Sequence, residues 1–201
     1  MEPRWQATGL DFSQAMRRLC DDLVARLPQL AHIDTQRVAF ACNLARKPVR
    51  HGVQASLTPL RFAGGALECR RGDRRFTIQR LFDEANREKL YILRFYLPRF
   101  CEQPLAEKLC TVLHELWHIG PRFDGDLRRF PGRCYAHSRR QRQYDALCHA
   151  LGQRWLESDP PEELVELLRL DWASLCRRHG RIIGQNVPIP KLIPVSEGSG
   201  L

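Results

Sequence analysis

His114 and His118 stand four residues apart, with Glu115 directly after the first, in the order His-Glu-Leu-Trp-His. Four residues are a little over one helical turn, so on a helix both imidazoles leave the same face. Two neutral imidazoles so placed can hold Zn2+ at about 2.0–2.1 Å each. A carboxylate beside the first ligand suits a general base aimed at a water on the metal. The pattern points to zinc-dependent hydrolysis, with His114 and His118 as metal ligands and Glu115 as the catalytic base.

A catalytic zinc takes three protein ligands. Asp124 lies six residues after His118, but Pro121 stands where that spacing usually carries a glycine. His137 lies further on, after a loop long enough to fold back, and imidazole is the commoner ligand. His137 is the preferred third ligand and Asp124 the alternative; Asp124 or Asp126 can otherwise orient a ligand histidine from behind. Arg128, Arg129 and Arg133 of the same loop can meet an oxyanion or a substrate carboxylate, though pairing with Asp124 and Asp126 is the more ordinary use. Tyr135 and Tyr144 are weaker oxyanion candidates, and Tyr144 reads as core. His32, His51, His149 and His179 have no partner at ligand spacing.

The elements that must position these groups are legible in outline. The motif predicts a helix over about 104–119, with Leu105, Leu109, Val112 and Leu116 on one side and His114, His118, Glu107 and Thr111 on the other. Gly120-Pro121 stops it and a glycine- and proline-rich loop over 120–137 follows. Upstream, 11–30 reads as a helix capped by Asp11 or Ser13. Strands are expected at 37–46, at 51–62 (Pro59 marking an edge or bulge), and at 66–70 and 75–82 on either side of a hairpin turn at 71–73. The strand at 89–97 is the most apolar, with Tyr91, Leu93, Phe95 and Leu97 on one face. Helices are expected at 138–157 and 161–179, then an extended tail from 181 with a Ser/Gly end.

The chain has 201 residues, 43% of them hydrophobic and 27% charged, enough for one buried core. No run of about 18 apolar residues is present, so no membrane span is expected. The first residues lack the apolar stretch of a signal peptide, and a cytoplasmic protein is expected. The eight cysteines include no CxxC pair, which argues against a four-cysteine zinc ribbon and for reduced core residues. The net charge of +9 allows a nucleic-acid or acidic partner. It is spread along the chain, which favours a solvated basic surface; the basic run 137–143 at a helix start is the one local hint of a nearby anion.

With His114-Glu115-Leu116-Trp117-His118-Ile119 and Phe123-Asp124-Gly125-Asp126-Leu127-Arg128, the sequence resembles the small HExxH metallopeptidases predicted in bacteria, archaea and phages, over about residues 35–150. The resemblance implies a zincin-like fold, His114 and His118 as ligands, Glu115 as base, and a protein or peptide substrate. The chain is also distantly similar to the SprT-like zincins, which act on proteins bound to DNA, but lacks their Cys-rich ribbon. The resulting expectation is one α+β domain over 1–180, zincin-like, with a small twisted sheet packed on the N-terminal helix and the motif helix, C-terminal helices, and a tail over 181–201. The expected function is a zinc metallopeptidase. The competing expectation is a non-catalytic, metal-stabilised protein that binds nucleic acid or a protein partner.

Overall fold

The computed structural model describes residues 9–44, 52–129 and 141–195. In chain order these form β1 (Leu10–Asp11), α1 (Phe12–Arg26), β2 (Val38–Leu44), β3 (Ala55–Pro59), β4 (Glu68–Arg71), β5 (Arg74–Ile78), β6 (Leu81–Phe82), β7 (Glu88–Lys89), β8 (Tyr91–Leu97), α2 (Leu105–Trp117), α3 (Gln141–Glu157), α4 (Glu162–Arg169), α5 (Trp172–His179), β9 (Ile182–Ile183) and β10 (Leu192–Pro194). The class is mixed α+β. No helix among the described residues is long and apolar enough to cross a membrane.

α1 begins where the Asp11 carboxylate accepts the Gln14 N–H, satisfying one of the open donors of the first turn. Its buried residues Phe12, Met16, Leu19, Cys20 and Leu23 recur at helical spacing and pack on the central sheet. That sheet has the order β2-β8-β3, with β8 parallel to β2 and antiparallel to β3. The alternation of β8 sends Tyr91, Leu93, Phe95 and Leu97 into the main core with α1, α2, α3 and α4. Ile92 points to the opposite face, into a smaller core with Ala39, Ala41, Leu60 and Val187. Both faces are covered, so β8 is apolar on both sides except at Arg94, a buried cation that donates to the Val187 carbonyl.

Pro59 falls on β3, which is an edge strand, as its proline suggests. A second sheet, β10-β5-β4, contains the hairpin turned by Gly72 and Asp73. Residues after 180 pair with the rest of the chain: β9 runs parallel to β1 and β10 antiparallel to β5. Between them Gln185 accepts the Cys42 N–H of β2 at 2.9 Å and donates its own N–H to Ser13 Oγ at 2.9 Å.

Two expected elements are divided. The predicted helix over 161–179 is two helices. Leu170 is extended, and Asp171 caps α5 by accepting the Ser174 N–H at 2.7 Å. The ammonium of Lys108, on α2, holds the break open by donating to the Leu168 and Leu170 carbonyls at 2.9 and 2.7 Å. The predicted strand over 75–82 is also divided, because β5 pairs with β4 and β10 while β6 pairs with β7.

Candidate active site

α2 carries the motif with one face on the core and the other in a cleft. Leu109, Val112, Leu113 and Leu116 are buried, while His114, Glu115 and His118 line the opening. The cleft holds about 660 Å³. One wall is the edge strand, residues 53–57; the others are α2 itself, Leu127 and Arg128, and Asp145 and His149 of α3. The pairing of β3 explains what it offers. Gln54 and Leu60 bond to β8 and its neighbouring residue 90, so by the period of two Val53, Ala55 and Leu57 turn their backbone groups outward. The Val53 carbonyl accepts from Arg99 at 2.9 Å and the Leu57 N–H donates to Glu115, which leaves the groups of Ala55 and the Leu57 carbonyl to the cleft.

His114 Nε2 and His118 Nε2 face each other at 3.1 Å. Two imidazole nitrogens on one tetrahedral zinc at about 2.0–2.1 Å stand about 3.3 Å apart, so this donor pair fits such an ion. Without metal, the same separation lets one ring N–H donate to the other. Burial pushes the Glu115 carboxyl up to about 7, against a backbone hydrogen bond from Leu57. Tyr144 supports the pair from α3. Its hydroxyl donates to the His114 carbonyl at 3.1 Å, and its ring lies 4.7 Å from that of His114 and 5.8 Å from that of His118.

The loop after α2 folds back as a clasp. Ile119 bridges Leu127, and the Arg128 N–H donates to the His118 carbonyl at 2.7 Å. Several residues of the Phe-x-Gly-x-Leu-Arg run have a geometric task. Phe123 packs on Tyr91 with ring centroids 5.4 Å apart. Gly125 has φ +87, and a Cβ there would lie 2.5 Å from Arg61 Cγ. Its N–H donates to the Tyr91 hydroxyl at 3.0 Å, and that hydroxyl donates to the Asp126 carbonyl at 2.8 Å. Arg128 donates through Nε to the Trp117 carbonyl at 2.8 Å and lies 4.3 Å over the Trp117 ring.

This clasp decides the fate of the loop acids. Asp124 pairs with Arg122 at 3.1 Å and accepts the Asp126 N–H; it does not line the cleft. Asp126 is buried and accepts from Gly64 N–H, Leu127 N–H and both arms of Arg129. Burial pushes its carboxyl up, but these donors outweigh burial and hold it below the usual range. Among the described residues, no group of three His, Cys, Asp or Glu could hold a metal. His137, Arg133, Tyr135 and His51 lie outside the described residues.

Several cleft residues fall outside the motif reading. Cys110 stands one turn before His114, at the i, i+4 spacing that places it on the same face. Its thiol and that of Cys148 on α3 hydrogen-bond each other, which lowers the Cys110 thiol and raises Cys148. His149 lies 3.8 Å from Glu107 at the end of the cleft nearest the start of α2. His32 lies outside the cleft; burial lowers its pKa, and it hydrogen-bonds the Ile119 backbone. His179 sits in the last turn of α5. No protein-family model, no curated protein and no solved structure matches the chain.

Proposed function

We propose that the protein is a zinc-dependent peptidase of zincin-like architecture. The carrying observation is the pair of facing Nε2 atoms at 3.1 Å in a cleft with Glu115 beside them and an edge strand along one wall. His137 is the proposed third ligand. It stands nine residues after Arg128 and seven before Tyr144, which bond to the His118 and His114 carbonyls respectively. The chain on either side of His137 is thus tied to the histidine pair. Zinc, held there, supplies a Lewis acid that polarises a carbonyl and acidifies a water. Glu115 accepts the proton of the attacking water and returns it to the leaving amine nitrogen. β3, through the outward backbone groups of Ala55 and the outward carbonyl of Leu57, pairs with an extended peptide. The apolar strand β8 is central and has no free edge for this task.

The test is Glu115→Gln in the full chain, with zinc stoichiometry and cleavage of an unfolded protein measured together. One zinc retained and cleavage lost is the expected result. A wild-type chain that binds zinc and cleaves nothing in a broad peptide library sinks the proposal. Zinc affinity should fall at least about tenfold in His137→Ala and stay unchanged in Asp124→Ala.

One observation favours a second partner class. The β4–β5 hairpin sets Arg70 opposite Arg75 and Arg71 opposite Arg74. Like charges directly across a ladder are destabilising. Among the described residues, only Arg70 and Arg75 of these four have acids nearby, Asp73 and Glu68. β10 covers β5 over Phe76–Ile78, so the arginine-bearing tip of the hairpin is two-stranded, and a two-stranded ribbon fits the major groove of DNA. On this alternative, the chain is a metal-stabilised protein that binds nucleic acid. Salt-sensitive retention on DNA that disappears when Arg71 and Arg74 become Glu would support it.

A further inference from the structure

Arg128 is a cation that the fold immobilises in the cleft and does not neutralise. Its main chain is held by the His118 carbonyl, its Nε by the Trp117 carbonyl, and its guanidinium plane by the Trp117 ring. Burial pushes its pKa down, which reflects lost water rather than lost charge. The neighbouring acids are engaged elsewhere: Asp124 with Arg122 and Asp126 with Arg129. Among the described residues, no carboxylate pairs with Arg128, and neither Nη atom has a hydrogen-bond partner. The side chain lines the same cleft as His114, Glu115 and His118, at the end where α2 stops. Glu107, 3.8 Å from His149, lines the cleft toward the start of α2.

We infer that Arg128 is a carboxylate-binding residue that selects substrates presenting a carboxylate to the His118 end of the cleft. The inference rests on the peptidase reading and adds the substrate class to it. A guanidinium offers two parallel N–H donors that match a carboxylate, and one already fixed by a carbonyl and a ring loses little freedom on binding. Partial desolvation strengthens the pairing. The carboxylate is either the free C-terminus or an Asp or Glu side chain.

The experiment uses the full chain and peptide sets identical except for one group: C-terminal acid against amide, and Glu against Gln at each position. Binding to the Glu115→Gln protein is measured by tryptophan fluorescence, and cleavage by wild type is measured in parallel. Acid peptides should bind roughly ten- to hundredfold tighter than their neutral partners. Arg128→Gln should reduce that ratio to near one, with Arg128→Lys between the two. The arm showing the preference, C-terminus or side chain, identifies the source. Binding preference without any cleavage sustains the carboxylate site and sinks the peptidase reading alone. Equal binding of acid and neutral peptides overturns the inference and leaves the peptidase reading intact. An Arg128→Gln loss that is equal for all substrates also overturns it, since that marks a role at the reacting carbonyl. If Arg128→Gln fails to fold, by circular dichroism, the Arg128→Lys ratio decides alone, and an unchanged ratio counts against the inference.

Discussion

Lys108 and Arg128 are both desolvated cations bound to helix α2, one near its start and one just past its end, and they are treated oppositely. Lys108 is 2% exposed, and its ammonium is closed off by the Leu168 and Leu170 carbonyls. Those carbonyls are the open acceptors where α4 ends, so the charge meets the negative end of a helix. Arg128 gives one N–H to a carbonyl and spreads the rest of its plane over an indole at the cleft. The first cation is satisfied by the fold. The second is positioned by the fold and left for something from outside. A buried charge held by the two carbonyls of a helix end is a joint between helices; one half taken and facing a cleft is a binding group.

Substitutions at the two positions should separate accordingly. Lys108→Met leaves two buried carbonyls without donors and should lower the unfolding free energy by about 2–4 kcal/mol, read from urea denaturation, with zinc stoichiometry unchanged. Arg128→Gln should cost only about 1 kcal/mol, so equal losses at the two sites would erase the distinction. Gly125→Ala tests whether the clasp is what positions Arg128. The left-handed backbone alone should cost about 1–3 kcal/mol, and the acid-over-amide preference should fall although residue 128 is untouched.

The smallest effect is in pH. Burial lowers the Lys108 pKa below its ordinary 10.5. Between the folded value and 10.5, the unfolded chain binds the extra proton, so this site's contribution to stability rises with pH across that window. The stability of wild type relative to Lys108→Met should therefore increase as pH rises toward 10.5. No such slope is expected from Arg128, whose guanidinium keeps its charge throughout.

How far these features are legible in the sequence depends on distance along the chain. The helical division of α2 and the alternation of β8 follow from periods of 3.6 and 2, and both are observed. Lys108 is not legible, because a lysine in a helix ordinarily faces water and its two acceptors lie about sixty residues away. The break between α4 and α5 is hidden by an apolar pattern that continues through Leu170 and Trp172. The local clue is Asp171 three residues before Ser174. Asp124 has a spacing that allows it to follow the histidines. Only the hold of Tyr91 on Gly125 and Asp126 shows that the loop turns it away. The second wall of the cleft requires knowing how α3 docks on α2, which no local pattern contains.

Gln185, fastened between Ser13 and Cys42, has a consequence for how the molecule behaves in company. β2 is the edge of the central sheet opposite the cleft; Gln185 bonds that edge at Cys42, and Val187 packs on the adjoining face with Ala39 and Ala41. A chain cut before Gln185 would leave the Cys42 N–H of that edge open, a template for pairing with another copy. Truncation before Gln185 should therefore raise the tendency of the chain to self-associate, read by light scattering.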